Sequence, residues 1–258
     1  MGKLFKIEMK KLRKSTAMKV MLVVALVLSL LNVGIYALIK VIGGEITEIF
    51  GVVDGHSMII MLTNDTSDIM LMVVILMAVL VGGDFSARTL QTQVAAGYSR
   101  FNILVSRYIT MIISYAVLFV LYAGVIVAGI TAVYGFGEGV TSVMIKELVF
   151  NIIYSFVLSL TMLSLYMLFI FLVKSTGAAI GICVPFMLFG VSIIQMLAFI
   201  GDIVEKVLSF TPFGQMGILS GMYVEKSIDP VKLFSVCGVW FLIFSSLSYL
   251  AFRKSELK

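Results

Sequence analysis

Charge is scarce in this sequence. Of its 258 residues, 13% are charged and 61% hydrophobic, whereas ordinary soluble domains carry about 25% charged residues. With a mean hydropathy of +1.14, that shortage excludes a water-soluble domain. The charges are also missing from particular places. No Asp, Glu, Lys or Arg lies within the six long apolar runs away from their ends. Transporters driven by protons or sodium need titratable or ion-binding groups at membrane depth, so this chain lacks their equipment. Histidine occurs once, at His56 in a loop. Together with Asp54 or Asp65 it makes a weak metal-ligand set without helical spacing, so no metal site is expected and a solvent-exposed His56 is preferred. No nucleophile with a base, and no carboxylate pair, stands where an intramembrane hydrolase needs one, so no catalytic residue is expected. No G-x-x-x-x-G-K-[ST] segment is present, so the chain cannot cradle ATP phosphates by a P-loop. Cys183 and Cys237 stand alone in apolar runs, which implies neither a disulfide framework nor a metal cluster; both read as small packing residues.

What is there in abundance is apolar sequence in runs of about 20 residues, each able to cross a hydrocarbon core of about 30 Å as a helix. The expected fold is all-α, a polytopic membrane protein forming a single transmembrane domain over residues 1–258. Its six spans are expected at about 18–39, 68–82, 108–134, 148–173, 177–200 and 231–252. The net charge of +5 and the pI near 9.1 do not indicate nucleic acid, because the basic residues flank the spans and act as orientation signals. With both termini inside, the inner segments hold 14 of the 19 basic residues and 3 of the 14 acidic ones, as the positive-inside rule requires. Met18 to Ile39 is too long for the apolar region of a signal peptide and lacks a clear small-residue cleavage site, so it is expected to be a retained span.

Between the spans, several segments carry their own signals. Lys3 to Lys14 reads as a basic amphipathic helix with Leu4, Phe5, Met9 and Leu12 on one side, lying in the membrane interface or simply fixing orientation. Val41 to Asp68 is acidic and expected outside, and its apolar piece Ser57 to Leu62 can dip toward the bilayer. Gly135 to Gly139 alternates glycines but has no strand before it, so it reads as a turn. In the fourth span Asn151, Ser155 and Ser159 fall at i, i+4 and i+8, a stripe that is either interhelical glue or part of a wetted path, with glue preferred. Lys174 to Thr176 is a tight inner turn, and Pro185 is expected to kink the fifth span. The external loop 201–229 is expected to hold short re-entrant or interfacial helices broken at Pro212.

The polar island from Gly82 to Arg107 is the most structured of these segments. Asp84 stands where a helix N-cap would, Leu90 and Val94 repeat at i, i+4, Gly97 suits a helix end, and Ser99 can cap the next helix. The spacing predicts one short helix over Phe85 to Ala96, a coupling helix able to press on a cytoplasmic partner and pass force to spans two and three.

These residues carry a resemblance. The chain resembles the membrane subunits of type-2 ABC exporters, whose first cytoplasmic loop has an acidic residue, a Gly-Thr pair, apolar residues at helical spacing and a Ser-Arg pair. The matching positions are Asp84, Thr89, Leu90, Val94, Ser99 and Arg100, with Arg107 near a basic residue at the next span. Asp84 stands for the usual Glu, Arg88 occupies the place of the Gly, and Gly97-Tyr98 replaces a frequent proline. The resemblance implies a permease subunit in a bacterial cytoplasmic membrane. It would pair with a second copy or a related permease and dock a separate ATPase subunit that holds the ATP and Mg, with no cofactor on this chain. Asp84, Phe85, Arg88, Thr89, Leu90, Val94, Ser99 and Arg100 would carry the coupling. Substituting Leu90 and Val94 by Asp is expected to uncouple the ATPase and leave insertion intact. Pro212, Phe213 and Gly214 would belong to an external gate. By the same resemblance the cargo is an amphipath such as an antimicrobial peptide or drug, moved in bacterial export or self-immunity. The alternative is a non-transporting assembly or regulatory protein that docks a cytoplasmic partner through the same loop.

Overall fold

The computed structural model describes residues 2–42, 54–137, 142–221 and 229–254. Among the described residues every regular element is helical. In chain order these are α1 (Gly2–Lys14), α2 (Thr16–Ile42), α3 (Gly55–Asn64), α4 (Ser67–Ser86), α5 (Thr89–Ala95), α6 (Arg100–Tyr134), α7 (Ser142–Val173), α8 (Thr176–Ile200), α9 (Asp202–Leu208), α10 (Pro212–Leu219) and α11 (Pro230–Lys254). Six of them, α2, α4, α6, α7, α8 and α11, are long and apolar enough to cross a membrane. A helix closes its backbone hydrogen bonds within one segment, which is why apolar runs of this length adopt it in lipid.

The six long helices are not equivalent. In their most apolar stretches α4 and α7 are each 67% buried, against 11% for α2, so α4 and α7 form the centre of the bundle. α7 packs along α11, and α2 along α6. The outer surfaces of the peripheral helices are apolar, with Leu38, Val120, Phe189 and Leu242 exposed, as expected where lipid is the solvent. α6 has 35 residues, a length of about 52 Å at 1.5 Å per residue, and so outreaches a hydrocarbon core of about 30 Å.

Two long helices contain a wide π turn. In α8 it covers Phe186–Gly190, directly after Pro185, which cannot donate a backbone hydrogen bond. Where a kink is expected at Pro185, the helix carries this π turn. A second, at Ala78–Gly82, interrupts α4 one turn before its end. A buried hydrogen bond joins two of the central segments: the hydroxyls of Thr66 and Ser159 lie 2.8 Å apart, tying the residue before α4 to α7.

At the end of the bundle where α4 begins, Asp54 and Ser57 form a reciprocal cap on α3. The Ser57 backbone N–H, 2.7 Å from Oδ1, holds the Asp54 carboxyl below the usual carboxylate range. The backbone N–H groups of Gly55 and His56 donate to the carbonyls of Gly135 and Phe136 at 3.0 and 3.1 Å. The glycine-rich turn after α6 thus satisfies α3's first donors; Glu138 and Gly139 lie outside the described residues. Ser57 to Leu62 forms part of α3, and Glu45 and Glu48 also lie outside the described residues.

The helix break expected at Pro212 is found. Thr211 caps α10 by accepting from the Gly214 N–H at 3.3 Å, and Pro212 takes the first helical position, where its missing donor costs nothing. α9 and α10 meet at Gly214, where an added Cβ would lie 2.2 Å from the Leu208 carbonyl oxygen. Gly214→Ala is accordingly expected to lower stability by ~1–3 kcal/mol, seen as a lower melting temperature in detergent. Melting at the wild-type temperature would show that the two short helices separate freely.

Candidate functional site

At the other end of α4 the chain departs from the single helix expected over Phe85 to Ala96. α4 runs on through the Gly82-Gly83 pair to Ser86, so Asp84 lies inside a helix and caps nothing. Packing against the bundle outweighs the cost of two helical glycines, about 1 kcal/mol each. The break comes later, at Ala87 and Arg88, and Arg88 takes a left-handed conformation with φ of 56°. A left-handed backbone there explains why glycine suits this place better than arginine. The helix resumes as α5 and ends at Gly97, φ 86°. There the Tyr98 N–H donates to the Gln93 carbonyl at 3.2 Å and the Gly97 N–H to Val94 at 3.0 Å, the paired closure of a Schellman motif. Ser99 then caps α6 by accepting from the Asn102 N–H at 3.2 Å. These last two expectations hold.

Under this loop lies a buried ionic cluster. Arg107 of α6 is 1% exposed, Glu8 of α1 1% and Asp84 of α4 4%. One Arg107 Nη donates to Glu8 Oε2. The other lies 2.6 Å from Asp84 Oδ2, an ion pair whose angle falls outside hydrogen-bond geometry. Lys11 of α1 donates to Asp84 Oδ1, and Gln93 of α5 donates to Glu8 Oε1 at 3.2 Å. Two carboxylates and two cations thus balance, with Lys11 reaching in from the surface, as carboxylates buried in a protein require. The cluster joins α1, α4, α5 and α6 at one point.

Glu8 and Lys11 escaped the sequence reading. α1 turns Leu4, Glu8 and Leu12 inward, and Phe5, expected with the apolar side, is 37% exposed. The correction follows from the i, i+4, i+8 spacing of Leu4, Glu8 and Leu12, which share a narrower stripe than the four apolar residues. The available signal was Glu8 itself, the one acidic residue of α1, interrupting an apolar stripe.

The structure turns several of the expected coupling residues toward the protein itself. Leu90 is fully buried in the core and Val94 is half-buried against it, because the apolar stripe of a short helix packs on its own protein when a core lies beneath. Phe85 points inward too, its ring 5.9 Å from that of Phe171 and 6.3 Å from that of Phe252 in edge-to-face contacts. Arg100 donates to the Phe252 and Arg253 carbonyls at the end of α11, where a cation complements the free carbonyls of a helix terminus. Thr89 opens α5 and is half-buried. What faces outward is Ser86, Ala87, Arg88, Thr92, Ala95 and Ala96, small side chains apart from Arg88.

The remaining candidates lie elsewhere. Ser155 and Ser159 are buried, with the Tyr115 hydroxyl beside them, and Asn151 is half-exposed a turn earlier on α7. Pro212, Phe213 and Gly214 open α10. The Phe213 carbonyl accepts from Gln195 Nε2 of α8 at 3.3 Å, and its ring lies 6.2 Å from Phe186 in the π turn after Pro185. Trp240 of α11 donates to the Phe210 carbonyl at 2.9 Å, so α8, α10 and α11 are linked there. Asp54, a candidate partner of His56, is occupied by its helix cap, and among the described residues no group of three or more His, Cys, Asp or Glu could hold a metal ion.

Residues 20–257 match the family described as Protein of unknown function (DUF2705). The chain belongs to the DUF2705 family. No curated protein matches it. The DUF2705 match takes in Asp84, Gln93 and Arg107 and starts after α1, which brings Glu8 and Lys11 to the cluster. The arrangement is an ionic cluster beneath a short helix whose exposed residues are Thr92 and Ala95.

Proposed function

We propose that the chain is the membrane-spanning permease subunit of an ATP-driven ABC exporter that moves an amphipath across a bacterial cytoplasmic membrane. Both termini and the 83–107 loop are cytoplasmic in this reading, and a separate ATPase subunit, holding ATP and Mg, docks on the loop. A second permease, identical or related, completes the transporter. α1 lies at the inner interface, its lysines near anionic head groups, and the 201–229 loop gates the outer side.

The observation that carries this reading is the construction of the loop. α5 is anchored from beneath by Leu90 and by Gln93 on Glu8, while its outer face is small and open. It is joined to α4 through the turn at Arg88 and to α6 through the Ser99 cap. A push on the outer face therefore passes to two membrane helices at once, and the ionic cluster makes the loop move with them.

Docking belongs to the outer face. Thr92→Trp and Ala95→Trp are expected to cut recovery of a co-expressed ATP-binding cassette subunit at least tenfold in a pull-down. Melting should stay within about 0.5 kcal/mol of wild type, as for ordinary surface changes. Failure of any such subunit from the same genome to co-purify would overturn the reading. Co-purification without hydrolysis that responds to this chain would leave only the docking role of a non-transporting assembly protein.

A further inference from the structure

A second feature lies at the far end of α4 from the ionic cluster, about 25 Å away along that helix at 1.5 Å per residue. It is a cavity of about 310 Å³ between the start of α4, the middle of α7, the second half of α8, and α10. That volume is at the lower end of small-ligand sites. Its lining is divided. Met70, Met187, Val191 and Met216 make one part apolar, and Asp65, Ser192 and Tyr166 bring polar groups to the other.

Two of these groups are incompletely used. Tyr166 is 1% exposed, and its hydroxyl is buried without a hydrogen-bond partner. A buried hydroxyl is ordinarily paired, and Tyr166 is one of the residues that line the cavity, so a group entering there can supply the missing partner. The Asp65 carboxylate is exposed and accepts from the Ser67 N–H at 3.0 Å. Among the described residues no Lys, Arg or His lies within 4 Å of it. Asp68, one turn further on, is engaged outside the cavity, accepting from Tyr122 of α6 at 2.7 Å. Gln195 is held on the Phe213 carbonyl, which fixes that wall.

We propose that this cavity binds the ammonium head of an amphipath. The ammonium pairs with Asp65, an N–H of the same head or a polar group beside it engages the Tyr166 oxygen, and the alkyl part lies against Met187 and Met216. An anion would meet the Asp65 carboxylate, and a plain inorganic cation would leave the methionine wall without use. Methionine adapts to varied apolar shapes, which suits a site that selects a head group rather than one particular tail. Chemically the ligand is a primary amine on an apolar body, such as a lysine-bearing peptide, an alkylamine or an aminophospholipid. This assignment deepens the export reading by naming the class of cargo, yet binding by the chain alone is measurable whether or not an ATPase docks.

The test is calorimetric titration of the full chain in phosphatidylcholine nanodiscs with hexylammonium, hexanol and hexanoate, each corrected with empty discs. Saturable one-site binding is expected for hexylammonium only. Asp65→Asn should weaken it at least tenfold, and Tyr166→Phe about threefold or more, both melting as wild type; Ser192→Ala supplies a third probe of the wall. Hexanol binding as tightly as hexylammonium would overturn the proposal, as would unchanged affinity in Asp65→Asn and Tyr166→Phe, or no saturable binding. Discs containing phosphatidylethanolamine separate the sources: competition with hexylammonium identifies a lipid head group as the occupant, and its absence identifies a free amphipath. Failure here with intact ATPase docking would remove the cargo class alone.

Discussion

Arg107→Met is expected to lower the unfolding free energy by ~3–5 kcal/mol, the cost of leaving a buried carboxylate without its partner. The size follows from the surroundings. The Arg107 and Glu8 side chains are 2% and 1% exposed, so water cannot replace the lost contact. Asp84 keeps Lys11, whereas Glu8 keeps only the neutral amide of Gln93. The double variant Arg107→Met with Glu8→Leu removes the orphaned charge and is expected to recover most of the loss, since buried ion pairs replaced by apolar groups are often neutral or better. Thermal melting of the purified protein in detergent measures both. Equal destabilisation by the single and double variants would show that the helices are held by packing and not by the cluster. In the coupling reading the two variants also differ from wild type in the same way functionally. Both retain the docking face, and both lose the tie from α1 to α6, so ATPase recovery should persist while its response to cargo falls.

Leu90→Asp should be more damaging than the same change anywhere else on α5, by ~4 kcal/mol or more, because it places a carboxylate where the side chain has no access to water. Leu90→Ala, which only opens a cavity, should cost ~2–5 kcal/mol. The control is Thr92→Asp two residues away on the exposed side, expected to change melting by about 0.5 kcal/mol or less. The comparison matters for how coupling is tested. A loss of ATPase recovery in Leu90→Asp would report unfolding of the loop rather than a removed contact. The same loss in Thr92→Trp, with unchanged melting, reports docking. If Leu90→Asp melted as wild type, the inward placement of α5 would be wrong.

Much of this arrangement was legible in the chain, and the failures share a cause. The six long apolar helices, the break before Pro212, the irregularity at Pro185, the helix end at Gly97 and the Ser99 cap all follow from local rules. The loop, expected as one helix over Phe85 to Ala96, folds as the end of α4 and a separate α5, with Leu90 and Val94 turned toward the protein. Leu90 and Val94 at i, i+4 describe an apolar stripe equally well whether it meets a partner or the same protein. Asp84 looked like a cap because polar residues after a glycine pair often are, yet α4 continued through Gly82 and Gly83. Glu8 was counted as one acid among inner charges, and Arg107 as a flanking cation, although the two sit in contact 99 residues apart.

The sequence by itself determined a helical bundle with six helices long and apolar enough to span a membrane, and a structured polar segment between the second and third. Apolar length, the need to close backbone hydrogen bonds in lipid, and turn chemistry are properties of contiguous residues. Only the tertiary structure decided which faces meet. It turned Leu90 and Phe85 inward, brought Glu8, Lys11, Asp84 and Arg107 into one buried cluster, and set Tyr166 and Asp65 around one cavity. Contacts of that kind depend on how separate helices pack, and burial of a charge is tolerated only where a distant partner arrives to neutralise it.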